Sequence, residues 1–266
     1  MLPLGLRRCV RVWAGLVLLF LYLPLVLVVV NSFNTSRTFT FPPPGWTTRW
    51  WSAAWHSDGA WRAVGTSISI GAAATAIAVV LGAMIAFAVQ RHRFFGRQAV
   101  GFLVVLPITL PGIVTGIALN ATFTSVLTWT LGFATVVIGH ATFCIVIVFN
   151  NVQARLRRMG QELQEASADL GANSWLTFWH ITFPLSRGAL LAGALLAFAL
   201  SFDEVVVTTF TAGPATETLP IWIFSNLFRP NQAPIVNVVA AVLTVLAIVP
   251  VWLSQRFGGD PATGRG

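Results

Sequence analysis

The chain contains no lysine, and every one of its 16 basic residues is arginine. A Walker A phosphate loop needs a lysine on the nucleotide phosphates, and a pyridoxal Schiff base needs one as its anchor. Both are excluded, so any ATPase that drives this chain is another polypeptide. Cysteine is almost as scarce. Cys9 lies on the N-terminal flank and Cys144 inside an apolar run, which excludes an extracytoplasmic disulfide and a thiolate metal site. Charge is sparse too, at 9% of residues against about 25% in soluble domains. The four histidines and eight acids are scattered, with no Ser/His/Asp or Cys/His constellation. His180 has no second ligand at metal spacing, so neither a metal nor a cofactor is expected.

What the chain has instead is apolar length. Hydrophobic residues make up 56% of its 266 positions, more nonpolar surface than one aqueous globule can hide, so the bilayer must be its solvent. Six apolar segments emerge, at about 12–31, 64–90, 99–119, 135–154, 188–212 and 235–255. Each is near or above the roughly 20 residues that cross a hydrocarbon core as helix. The expectation is one all-α, polytopic membrane domain over residues 1–266 with six transmembrane helices. The first segment follows Arg7, Arg8 and Arg11 but lacks a small-x-small cleavage site, so it reads as an uncleaved span.

The net charge of +8 does not indicate nucleic-acid binding, because the arginines cluster at segment ends and not on one amphipathic face. With the N-terminus inside, one side of the membrane carries Arg7, Arg8, Arg11, Arg91, Arg93 and Arg97. The same side carries Arg155, Arg157, Arg158, Arg187, Arg256 and Arg265, while the outer side holds only Arg37, Arg49, Arg62 and Arg229. Both termini are therefore expected to be cytoplasmic. The first outer loop, about 32–63, carries Pro42, Pro43 and Pro44, then Trp46, Trp50, Trp51, Trp55 and Trp61. A short interfacial helix is the main reading, with cation–π contact to a passing amine the sharper one.

Two spans carry unusual residues. In the third, Pro107 and Pro111 stand four apart and should kink the helix. Gly112 and Gly116 form a GxxxG pair that permits close helix approach. A kinked pore wall and a static kink both fit. In the fifth, Asp203 and Glu204 lie inside an apolar run, and His140 lies at similar depth in the fourth. Either an acid lines a path for a cation, or Asp203 and His140 satisfy each other and pin two helices. Asn150 and Asn151 suggest interhelical hydrogen bonding.

The longest polar interruption, 155–187, separates the fourth and fifth apolar segments. Good helix formers from Gln161 to Ala166 precede Gly171, which should end or bend that helix. Pro184 should separate a second short helix from the fifth span. Two short helices meeting at a glycine would form a compact knob. Within it, Glu165-Ala166-Ser167 is followed after three residues by Gly171, and after nine more by Ile181-Thr182-Phe183-Pro184. This resembles the E-A-A, three residues, G, nine residues, I-x-L-P signature of bacterial ABC-importer permeases, with Ser167 for the second alanine and Phe183 for leucine. The chain is similar to spermidine/putrescine-type permeases over nearly its whole length, including Leu110–Gly116 and the runs Leu200–Glu204 and Phe210–Gly213.

The resemblance implies a type I ABC-importer permease in the bacterial inner membrane. The knob, through Glu165, Ala166, Ser167, Gly171, Ile181 and Pro184, would dock on an ATPase subunit and convert its closure into pore motion. The implied partners are a second permease, two ATP-binding subunits and an extracytoplasmic solute-binding protein. The chain itself would be non-catalytic. A polyamine is the implied solute; another small solute is the alternative. An autonomous secondary transporter would leave the knob unexplained, and no inverted repeat is visible.

Overall fold

The computed structural model describes residues 4–38, 40–91, 94–160 and 162–257. Arg93, Gln161 and Arg265 lie outside the described residues. The described part is all-α; its only β feature is an isolated antiparallel bridge between Asn34 and Trp46.

The chain divides into two compact units. The first comprises Met1–Ala60 and Ile223–Gly266. In it, α1 (Leu4–Asn31) and α12 (Ala233–Phe257) pack together, and α12 also meets the short helix α2 (Arg49–Trp55). Helix α2 is the short helix expected of the tryptophan-rich loop. Its indoles are engaged from within: Trp50 Nε1 donates to the Asn34 carbonyl at 2.9 Å, and Trp51 stacks on Phe33. The Arg49 guanidinium lies 4.1 Å from the Trp50 ring centroid, so that face already holds a cation. Arg37 reaches Asn231 at 3.0 Å.

The second unit, Trp61–Trp222, holds most of α3 (Asp58–Arg91) and then α4 (Arg97–Thr109), α5 (Gly112–Ala121) and α6 (Phe133–Arg158). It continues with α7 (Glu162–Asp169), α8 (Ser174–Thr177), α9 (Phe183–Phe202) and α10 (Val206–Thr211), and α11 (Leu219–Leu227) begins at its end. Helix α6 is its axis. Cys144, Val148, Val152 and Leu156 recur every four residues and form a buried stripe. Small residues face it, Ala78 and Ala86 from α3 and Ala197 from α9, which lets the backbones approach. The Thr135 hydroxyl accepts from Gly132 N–H at its start, and Arg155, Arg157 and Arg158 complement the dipole at its end.

Among the described residues, four helical stretches are long and apolar enough to cross a bilayer: α1, α3, α6 and a continuous run Ser174–Phe202. The third and fifth apolar segments depart from expectation. The third is not a kinked helix but two helices, α4 and α5, bent by 102°. Pro107 sits inside α4 without breaking it. The break falls at Leu110, in extended conformation, because Pro111 forces its predecessor out of helical geometry. The fifth segment stops at Phe202 and resumes at Val206, so Asp203 and Glu204 stand in a break. A depth counted along a continuous helix does not apply to them.

Candidate functional site: two helix breaks and a polar knob

The breaks at Leu110–Pro111 and Asp203–Val205 meet around one cavity of about 170 Å³. Pro107, Leu110 and Gly112 line it from the first break, Glu204 and Val207 from the second. Glu204 is its only charged lining residue among the described residues. One carboxylate oxygen accepts from Val207 N–H at 2.8 Å and so caps α10; a helix N-terminus favours that negative charge. Thr115 lines the same cavity, and its hydroxyl oxygen is buried without a hydrogen-bond partner among the described residues. A carboxylate in the lining of a small, otherwise uncharged cavity suits an ammonium group. Asp203 is exposed and does not line this cavity.

His140 has a different role from the one its position suggested. Its Nδ1 lies 2.7 Å from Ser201 Oγ and its Nε2 2.8 Å from Thr208 Oγ1. Both nitrogens are taken, so of the two alternatives the Asp203–His140 pair is not formed. The Thr208 hydroxyl donates to the Glu204 carbonyl, so it accepts from His140 Nε2–H. Nδ1 then accepts from the Ser201 hydroxyl, which fixes one neutral tautomer. Ser201 ends α9 and Thr208 lies in α10, so one imidazole from α6 holds both sides of the break. Thr135 Oγ1 donating to Thr211 O, and Asn120 Nδ2 donating to Phe210 O, fasten the rest of α10 to α6 and α5. Sequence reasoning missed these threonine anchors; the run Val205–Thr211 reads as apolar span, and nothing in its spacing marks a separate helix.

Of the GxxxG pair, only Gly116 is tight. A Cβ there would meet Phe210 Cδ2 at 2.6 Å, whereas one at Gly112 would find ordinary contact with Val206 at 3.6 Å. Asn151 does not bond between helices; its Nδ2 donates to the Ile147 carbonyl of its own helix.

The polar interruption folds into two parts joined at Gly171. Helix α7 ends at Asp169, and Gly171 follows with φ +80°, a left-handed conformation that glycine adopts without strain. Asn173 then caps α8, its Oδ1 accepting from Leu176 N–H at 2.9 Å. The two parts are clamped by Ser167 Oγ and Thr177 Oγ1, both buried and 2.9 Å apart. Pro184 does not separate α8 from the span as expected. A π-helical turn, Phe178–Thr182, carries α8 straight into α9. Pro184 falls in the first turn of α9, where its missing N–H is harmless. Arg155 Nε donates to the Leu185 carbonyl at 2.9 Å and ties the end of α6 to the start of α9. Glu165, Ala166 and Pro184 are exposed, Ile181 half-buried and Ser167 buried. Leu170, 89% exposed, and Trp175, 67% exposed, leave an apolar tip on the knob.

Residues 78–258 match the family described as binding-protein-dependent transport system inner membrane component. The spermidine/putrescine transport system permease protein PotC of Shigella flexneri is 36% identical over 247 residues, covering 93% of this chain and 92% of that protein. The putrescine transport system permease protein PotI of Escherichia coli (strain K12) is 35% identical over 230 residues, 84% of this chain and 81% of its own length. A crystal structure of a bacterial ABC transporter involved in import of the acidic polysaccharide alginate includes a chain of the same fold. Its TM-score is 0.72 at 17% identity, with 99% of both chains covered.

Proposed function

The chain belongs to the binding-protein-dependent transport system inner membrane components, the non-catalytic, multi-pass permease subunits of ABC importers, and on that premise we propose that it forms half of a translocation path for a polyamine. The observation that carries the solute class is the cavity where the two helix breaks meet, with Glu204 and Thr115 in its lining. A primary ammonium donates three hydrogen bonds and carries the charge opposite to Glu204, which has no ion-pair partner among the described residues. The names of the relatives at 35–36% identity favour the same chemistry. Asp203, exposed beside Glu204, would attract the same cation before it reaches the cavity. His140 acts in this reading as a positioning residue, holding the break open through Ser201 and Thr208.

The knob at 162–182 docks on an ATP-binding subunit. Its rigidity supports this, because a lever must move as a body. The Ser167–Thr177 clamp, the Asn173 cap and the Arg155–Leu185 bond stiffen it, while Leu170 and Trp175 offer apolar surface for a partner's cleft. The full assembly is a paralogous second permease, two ATP-binding subunits and an extracytoplasmic binding protein, with both termini of this chain cytoplasmic by the arginine bias.

The test is uptake of labelled putrescine and spermidine by the assembled importer in proteoliposomes. Glu204→Gln should lower uptake roughly tenfold or more, the loss of a charged hydrogen bond of ~1.5–3 kcal/mol, and Asp203→Asn should lower it less. Gly171→Asp and Glu165→Lys should keep ATP hydrolysis while losing uptake. Unchanged uptake in Glu204→Gln and Asp203→Asn alike refutes the cation path. Unchanged coupling in both knob variants refutes the lever.

A further inference from the structure

A second and larger cavity, about 500 Å³, opens between α4 and α6 and has no part in the readings above. Arg97, Gln98, Asn150, Gln153 and Arg157 form its polar side. Val89, Val105 and Phe149 form its apolar side. Among the described residues no carboxylate lines it, and neither guanidinium has an ion-pair or hydrogen-bond partner. Two guanidinium groups facing one space repel each other. Arg97 is moreover in the first turn of α4, where the helix dipole disfavours a cation. An anion held between Arg97 and Arg157 would offset both penalties. Guanidinium matches phosphate oxygens two at a time, and the three amide side chains supply further donors for its esters.

The shared chemistry is a phosphate, free or esterified. The other wall decides the source. Val89, Val105 and Phe149 belong to apolar helices at the end where α6 runs into the knob. A free phosphate gains nothing from such a wall, while an acyl chain does. We propose that this cavity is a site for an anionic phospholipid, its headgroup phosphate between Arg97 and Arg157 and an acyl chain along Val89, Val105 and Phe149. Basic pockets between membrane helices take such headgroups through the same physics.

The full chain, purified in mild detergent and stripped of lipid, is offered equal dioleoyl-phosphatidylglycerol and dioleoyl-phosphatidylcholine, and retained lipid is counted by native mass spectrometry. Wild type should retain phosphatidylglycerol preferentially. Arg97→Gln and Arg157→Gln should each weaken that roughly fivefold, and the double variant ~25-fold. Arg158→Gln, at an arginine outside the cavity, should retain it as wild type does. Millimolar inorganic phosphate should not compete. Equal retention of the two lipids, or no loss in the double variant, overturns the proposal. Full competition by phosphate makes this a free-phosphate site and overturns it too. So does a preference that vanishes in the assembled importer, which would mean that a protein subunit covers the cavity. Retention is read without solute or ATP, so failure here leaves the transport reading standing.

Discussion

His140 gives the sharpest test of how the second break is held. Replacing it with leucine keeps most of the volume and removes both ring nitrogens. Two hydrogen bonds between membrane helices disappear, at about 0.6 kcal/mol each. The two hydroxyls are not equally affected. Thr208 keeps its donation to the Glu204 carbonyl, so its proton is not stranded. Ser201 loses its acceptor in a buried position, and that adds about 1 kcal/mol. The expected loss is ~2 kcal/mol, roughly thirtyfold in the unfolding equilibrium. His140→Gln carries one acceptor and one donor and should recover part of it. Denaturant unfolding of the chain in mild detergent measures both.

A double-mutant cycle makes the test strict. Ser201→Ala should destabilise wild type but regain about 1 kcal/mol in the His140→Leu background, because it removes the buried hydroxyl that the first substitution left without an acceptor. Additive effects would show that the imidazole and the hydroxyl do not act on each other, and the staple across the break would be wrong. A His140→Leu variant within ~0.5 kcal/mol of wild type would refute it as well.

Gly171→Ala should destabilise by about 1 kcal/mol in the same unfolding assay, because φ +80° is strained for any residue with a Cβ; Gly171→Asn should be milder. Ser167→Val should cost about 1 kcal/mol by leaving Thr177 with only its Asn173 carbonyl contact, and should raise the ATP hydrolysed per solute transported in proteoliposomes. Gly116→Leu should lower the melting temperature by displacing Phe210, while Gly112→Ala, which meets only Val206 at 3.6 Å, should stay within ~0.5 kcal/mol of wild type.

The parts of the fold written in local chemistry were legible beforehand. Arginine placement and apolar length marked the helices, since desolvation cost and helix rise act residue by residue. Gly171 marked the bend in the knob because only glycine adopts that backbone angle freely. The proline pair marked the third segment as irregular, although not as two helices bent by 102°. Pro184 misled in the opposite sense. A proline predicts a break only where its N–H would have been used, and the π-helical turn before it shifts the hydrogen-bond register so that none is.

The second break is the instructive failure, because nothing local announces it. From Leu200 to Phe210 there is neither proline nor glycine, and the only charges are Asp203 and Glu204 among Ser201, Thr208, Thr209 and apolar residues. Helix propensity alone would carry the chain through. What ends α9 at Phe202 is a set of partners far away in sequence. His140 takes Ser201 and Thr208, Thr135 takes the Thr211 carbonyl and Asn120 takes the Phe210 carbonyl. In lipid, a backbone leaves helical geometry only where other groups satisfy its freed donors and acceptors. Each of those distant side chains therefore acts as a substitute for a lost helical bond or as a brace for the segment that lost it. The placement of Glu204 beside the cavity then follows from α6 and α5 as much as from its own sequence neighbours. A variant that weakens the braces should move the carboxylate before it unfolds the chain, so uptake should fall at a lower denaturant concentration than helicity does. Loss of both together in His140→Gln would mean that the break is set locally after all.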